Sequence, residues 1–208
     1  HQLHRRQRQM CIRDSSCKLL MLSCFQRFNV LGNVPKKENG PYVFMFNHAS
    51  MFDAFMLGGS IPFYINAIGW EGIFKWPLWG FFAKRYGAYS ITHDNTHSAI
   101  KTLEAAEKIL LQDGDSMILS PEGQRTITGE LGEFKKGGFH YVKNTNIASI
   151  VPIGLKGAFE ANKRTSWKIN PGNLTVVFGE PILPLDYKEL SVEELRDLTK
   201  KRISELLV

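Results

Sequence analysis

Tyr42–Phe46 is an unbroken apolar run that ends abruptly in Asn47-His48-Ala-Ser-Met-Phe-Asp53. Such a run suits a strand buried on both faces, as in the middle of a parallel sheet packed between helices. His48 then stands where a buried strand stops and a helix starts. That position constrains both the fold and the chemistry open to the chain.

The rest of the sequence keeps the same rhythm. Short apolar runs at 62–68, 88–91, 116–119, 147–155 and 174–178 read as further strands. Helices are expected at 50–58, 72–84, 96–112, 137–143 and 191–207. The one at 96–112 carries the stripe Ile100, Leu103, Ala106, Leu110 and Leu111 and stops at Gly114. The last is capped by Ser191, with Glu194 in the capping-box position. Residues 32–41, rich in Gly, Pro and Lys, read as a loop. Strands alternating with helices predict an α/β fold, with a mixed, largely parallel central sheet flanked by helices. The 208 residues suffice for one sizeable core and fall short of two.

The net charge of +6 is unevenly placed. Residues 1–28 hold Arg5, Arg6, Arg8, Arg13, Lys18 and Arg27 against Asp14 alone, so the remaining residues are almost neutral. That body lacks the basic footprint of a nucleic-acid-binding domain. Cys11, Cys17 and Cys24 also fall in the first segment, leaving the body no disulfide framework and no thiolate metal site. Residues 1–15 resemble translated sequencing adapter and are expected to be a non-native or disordered tail. Residues 16–31 predict an amphipathic helix or a truncated membrane anchor, their apolar run being far short of the ~20 residues that span a bilayer. Residues 32–208 form the domain proper. The aromatic stretch Trp70, Phe74, Trp76, Trp79, Phe81 and Phe82 suits a core and also a membrane interface.

Two polar clusters carry the chemistry. In the first, His48 and Asp53 are five apart, which on a regular helix points them roughly 140° away from each other. They meet only if His48 stands outside the helix, at the junction. There Asp53 fixes one ring nitrogen and leaves the other to take a proton from an alcohol. The plain alternative is a helix-start histidine beside a solvated aspartate, with Asn47 as a cap or turn residue. The second cluster, Ser120-Pro-Glu-Gly-Gln-Arg125, offers Glu122 and Arg125 on a glycine-containing loop suited to an anionic, hydroxyl-bearing substrate. The body has no Gly-x-Ser-x-Gly elbow and no cysteine, so the attacking alcohol is expected to belong to the substrate. A metal-dependent hydrolase using His48, Asp53 and His93 or His140 is a competing reading. The His-x4-Asp spacing is not a common ligand pattern, and no metal site is expected.

These residues resemble the motif blocks of the glycerolipid acyltransferase family. The first block matches at Asn47, His48 and Asp53. A later one matches at Pro121, Glu122, Gly123 and Arg125 and runs on through Gly129, Phe134, Lys135 and Gly137. An apolar strand around a proline matches at 150–153, and Gly179-Glu-Pro-Ile182 resembles a further signature. The resemblance covers about residues 30 to 185. It implies transfer of a fatty acyl group from acyl-CoA or acyl carrier protein, without a cofactor, to a lysophospholipid hydroxyl. The first acceptor it implies is 1-acyl-sn-glycerol-3-phosphate, giving phosphatidic acid. His48 becomes the base and Asp53 its partner, while Asn47, Glu122, Gly123, Arg125 and Lys135 become acceptor-binding candidates. Guanidinium matches a phosphate bidentately and ammonium adds a point charge. One block departs, because His93 stands where the family places a phosphate-binding arginine. That opens the site to another lysolipid or an amino-acid-derived lipid, and a non-catalytic lipid-binding protein on the same fold is the remaining alternative. The resemblance also implies a membrane-surface partner and a place at the cytoplasmic face of the cell membrane.

Overall fold

The structure, a computed structural model, describes residues 2–70, 88–91 and 115–208, with side chains over 13–67 and 115–208. The chain runs α1 (Gln2–Ser23), β1 (Gln26–Leu31), β2 (Tyr42–Phe46), α2 (Asp53–Ser60), β3 (Ile65–Trp70), β4 (Ala88–Ile91) and β5 (Ser116–Leu119). It continues through α3 (Gly137–Thr145), β6 (Ser149–Lys156), α4 (Ala158–Ala161), β7 (Gly172–Phe178), α5 (Pro184–Tyr187) and α6 (Val192–Leu207). The described strands form one sheet in the order β1-β7-β6-β2-β5-β3-β4. Every neighbouring pair is parallel except β6 and β7. This is the expected mixed, largely parallel sheet with helices on its faces.

β2 lies near the middle, between β6 and β5, and all five of its residues are buried. Their alternation feeds two cores. Tyr42, Phe44 and Phe46 face Met21 of α1 and Met56 and Leu57 of α2. Val43 and Met45 face Phe139 and Val142 of α3 and Leu195 and Ile203 of α6. Burying each such side chain contributes about 1.5–3 kcal/mol, so this strand anchors both layers.

The expected boundaries shift for local reasons. The helix read at 50–58 begins at Asp53, because the amides of Ala49 and Ser50 are bonded to the Asp53 carboxylate and do not start a helix. The strand read from Pro62 begins at Ile65. α6 carries the expected capping box, with Ser191 and Glu194 exchanging bonds of 2.7 and 3.1 Å. The helices read at 72–84 and 96–112, and most of the aromatic stretch, lie outside the described residues.

The N-terminal expectation needs correcting. The helix predicted over 16–31 stops at Ser23, and Gln26–Leu31 instead pairs in parallel with β7. Phe25, at φ 58°, turns the chain, and the Gln26 amide donates to the carbonyls of Cys24 and Asn170. This strand lies at the sheet's end, where only its Gln26 is fully buried, so no apolar run marks it in the sequence. Residues 2–15 are helical rather than disordered. Their run of good helix formers has no Gly or Pro, and the Arg13 guanidinium donates to the carbonyls of Ile61 and Phe63 after α2.

Gly154 on β6 meets α6 so closely that a Cβ there falls 2.8 Å from Leu206 Cβ and 3.2 Å from its carbonyl oxygen. Gly154→Ala is therefore expected to push α6 off the sheet and cost ~1–3 kcal/mol in urea unfolding. Gly137, at the start of α3, has nothing within 4 Å of such a Cβ. Gly137→Ala should be neutral or stabilising by about 0.5 kcal/mol.

Candidate active site

The site grows out of the carboxyl end of β2. Asn47 is buried, and its amide pairs with the Leu155 backbone on β6 as another strand residue would. Its Nδ2 donates to Leu155 O at 3.1 Å, and its Oδ1 accepts from Leu155 N at 2.7 Å. This ends the strand while holding the next residue in place. The Asn47 side chain is thus spent on the fold, although the resemblance had made it an acceptor-binding candidate.

His48 does stand outside the helix, as the spacing required. Its Nδ1 lies 2.6 Å from Asp53 Oδ2 in the first turn of α2. The same carboxylate accepts from the amides of Ala49 at 2.8 Å and Ser50 at 3.0 Å. Asp53 is 2 % exposed and the His48 side chain 31 %. A carboxylate only accepts, so in the neutral ring Nδ1 carries the proton and Nε2 presents a lone pair. Phe46 packs edge-on against the imidazole, with ring centroids 5.9 Å apart.

Glu122 holds this histidine from the other side. Its Oε1 accepts from the His48 amide at 2.7 Å, and its Oε2 from the Gly132 amide at 2.8 Å. The His48 carbonyl in turn accepts from Thr126 N at 2.8 Å. The loop between β5 and α3 therefore grips the His48 residue at both its amide and its carbonyl. Glu122 is buried, and burial pushes its carboxyl above the usual carboxylate range, against the opposing pull of the two amide bonds. Both of its oxygens face backbone, so the geometry makes it a clamp on the His48 loop.

Gly123 follows in a left-handed turn at φ 73°, with its amide donating to Ser120 O at 3.2 Å. A Cβ there would fall 2.9 Å from Lys135 Nζ, so the Lys135 stem lies across the turn. Arg125 is half-buried beside it. Among the described residues neither Arg125 nor Lys135 forms an ion pair. Arg164, beyond α4, adds a third cation. Its Nη1 donates to Arg125 O at 3.0 Å and lies 3.4 Å from Gln124 Oε1. Nothing in its local sequence marked it, because its closeness depends on β6 lying beside β2. Ser50 ties the same segment in, its hydroxyl donating to Asn162 O at 3.1 Å.

His93 lies outside the described residues, and His140 is exposed on α3. No group of three or more His, Cys, Asp or Glu among the described residues is placed to hold a metal ion.

Fold and site together define an α/β protein with a carboxylate-held histidine at the carboxyl end of a central strand, beside a cluster of cations. The model of the acyltransferase family matches residues 27–156. The chain belongs to the acyltransferase family. It is 34% identical to the chloroplastic 1-acyl-sn-glycerol-3-phosphate acyltransferase LPAT1 of Arabidopsis thaliana, over 76% of this chain and 44% of that protein. A coconut (Cocos nucifera) 1-acyl-sn-glycerol-3-phosphate acyltransferase is 30% identical, over 77% and 53% respectively. A Pseudomonas aeruginosa protein of the same name is 25% identical, over 87% and 69%. The crystal structure of the 1-acyl-sn-glycerophosphate acyltransferase PlsC from Thermotoga maritima shares the fold, with a TM-score of 0.80 at 21% identity. That match covers 94% of this chain and 77% of the other. The chain spans about half the length of the Arabidopsis and coconut relatives.

Glu122→Gln keeps one acceptor and turns an amide group toward the second backbone N–H. It should cost ~1–3 kcal/mol in chemical denaturation and loosen the His48 loop. The pH sign also follows. A buried acid with a raised pKa binds its proton more tightly in the native than in the unfolded chain. Its contribution to stability therefore shrinks as pH rises above about 4.5, the ordinary glutamate value. The stability difference between wild type and Glu122→Gln should move toward the variant over that rise, and a pH-independent difference would contradict it.

Proposed function

We propose that the protein transfers a fatty acyl group from an acyl-CoA or acyl-carrier-protein thioester to the free hydroxyl of 1-acyl-sn-glycerol-3-phosphate, giving phosphatidic acid. The observation that carries this is the 2.6 Å contact between His48 Nδ1 and an Asp53 carboxylate already fixed by two backbone amides. Such a pair orients Nε2 as a base without supplying a protein nucleophile.

His48 Nε2 takes the proton of the acceptor hydroxyl as its oxygen attacks the thioester carbonyl carbon. The tetrahedral intermediate collapses with cleavage of the C–S bond. The imidazolium returns the proton to the departing thiolate, leaving an ester, a free thiol and a neutral His48. Asp53 stabilises the transient imidazolium. Arg125, Lys135 and Arg164 meet the acceptor phosphate through charged hydrogen bonds. The acceptor is a membrane lipid and the donor water-soluble, so the reaction belongs at a membrane surface, on its cytoplasmic face. Among the described residues no helix is long and apolar enough to cross a membrane.

The purified protein is assayed with 1-acyl-sn-glycerol-3-phosphate and either donor, following phosphatidic acid. His48→Ala is expected to lower the rate roughly 10²–10⁴-fold with unfolding unchanged. Near wild-type turnover in that variant would overturn the mechanism. His93 gives the acceptor a second test. If its imidazole replaces the family's arginine at the phosphate, His93→Arg should improve use of 1-acyl-sn-glycerol-3-phosphate over acceptors without a phosphate monoester, mainly through KM. An unchanged ranking across a lysolipid panel would remove His93 from acceptor choice.

A further inference from the structure

Beyond β6 the chain makes one turn that touches both motif loops, and the polar groups of Asn162 organise it. Its amide donates to Ala158 O at 3.2 Å, which closes α4. Its carbonyl accepts from the Ser50 hydroxyl at 3.1 Å. Its side-chain Nδ2 donates to Ser166 O at 3.0 Å and to Lys168 O at 3.2 Å. Two carbonyl acceptors require the NH2 end of the amide there, and asparagine supplies both donors from one short side chain. Asn162 is 3 % exposed. The turn is closed further by Ser166 N donating to Lys163 O and Lys168 N to Ser166 Oγ.

One side of this turn faces the base. The Ser50 hydroxyl accepts from Phe52 N at 3.3 Å and gives its single proton to Asn162 O. The Ser50 amide bonds both oxygens of Asp53, the carboxylate that holds His48 Nδ1. The other side faces the loop between β5 and α3. Arg164, two residues after Asn162, donates to Arg125 O at 3.0 Å. Phe159 of α4 lies against Gly129 of the same loop, where a Cβ would fall 2.8 Å from its ring. Ser50 is 112 residues from Asn162 and Arg125 is 39 from Arg164, so the turn joins segments that sequence keeps apart.

We propose that Asn162 is a positioning residue for acyl transfer, setting one turn that braces the base through Ser50 and Asp53 and the cation loop through Arg164 and Arg125. The inference rests on the acyl-transfer reading and adds to it a physical link between base and acceptor cations. The bonds of Asn162 reach Ser50 and the turn itself. Any effect on His48 therefore passes through Ser50, and any effect on Arg125 through Arg164. A small misplacement of a reacting group costs rate even where the fold is kept.

Asn162→Ala, Ser50→Ala and Arg164→Ala are assayed with 1-acyl-sn-glycerol-3-phosphate, alone and combined, their folds checked by circular dichroism. Asn162→Ala is expected to lower kcat roughly ten- to hundredfold and to raise the acceptor KM, with the donor KM unchanged. Its kcat effect should largely disappear in the Ser50→Ala background, and its KM effect in the Arg164→Ala background. A residue that acts through another adds little once that other is gone. Asn170→Ala, which removes a bond to Glu160 O from the same segment, should leave both constants unchanged. Effects of Asn162→Ala that multiply fully in both backgrounds, or an equal loss in Asn170→Ala, overturn the proposal. Should Asn162→Ala not fold, Ser50→Ala decides. A lowered kcat with unchanged acceptor KM supports the brace, and any other result overturns it. Proton NMR without substrate reads the base side alone. The downfield proton shared by His48 and Asp53 should broaden in Asn162→Ala and in Ser50→Ala, and a signal as sharp as in wild type overturns the proposal. Failure of wild type to form phosphatidic acid would instead sink the acyl-transfer reading, while the proton signal still reports on the brace.

Discussion

The His48 backbone is held at both polar groups by one loop, its amide by the buried Glu122 carboxylate and its carbonyl by the Thr126 amide. Its side chain is held by a second element, Asp53 at the start of α2. His48 is thus fixed by three contacts from two directions. Each removes freedom that a residue in a turn would otherwise keep, and the proposed base would need little further reorganisation to react. Asn47 and Ser50 extend the same principle outward, to Leu155 and Asn162. Much of what surrounds the site serves to hold this one residue.

Glu122 shows the electrostatic side of that arrangement. A buried carboxylate is costly unless it is bonded, and here two backbone amides offset part of the cost. The group links the loop after β2 to the loop after β5, strands that are neighbours in the sheet but far apart in sequence. Its neighbours Arg125 and Lys135 meanwhile form no ion pair among the described residues. One short motif therefore supplies both a structural clamp and the cations around the site.

The sequence was legible where local pattern decides. β2 and β5 have the predicted bounds, and the Ser191–Glu194 cap starts α6 as expected, because buried runs and capping boxes are written in adjacent residues. The His48–Asp53 pairing was legible too, since only a junction lets residues five apart meet. β1 was not legible. An edge strand covered on one side carries few apolar residues, and its pairing partner lies about 140 residues away. The division of labour among the motif residues was equally hidden. The resemblance makes Asn47 and Glu122 acceptor-binding candidates, but their hydrogen-bond partners are backbone groups 108 and 74 residues distant. Arg164 had no signal at all, being brought to Arg125 only by the sheet order.

The central claim is that His48 offers Nε2 as the base while Nδ1–H is committed to Asp53. Nitrogen-15 NMR of histidine-labelled protein reads this directly, with the His48 signals assigned by comparison with His48→Gln. At a pH where the ring is neutral, the account predicts the Nδ1–H tautomer, with a bare Nε2 and a downfield proton shared with Asp53, and loss of that tautomer in Asp53→Asn. An Nε2–H tautomer in the wild-type protein would contradict it, because the nitrogen required to accept the substrate proton would already carry one.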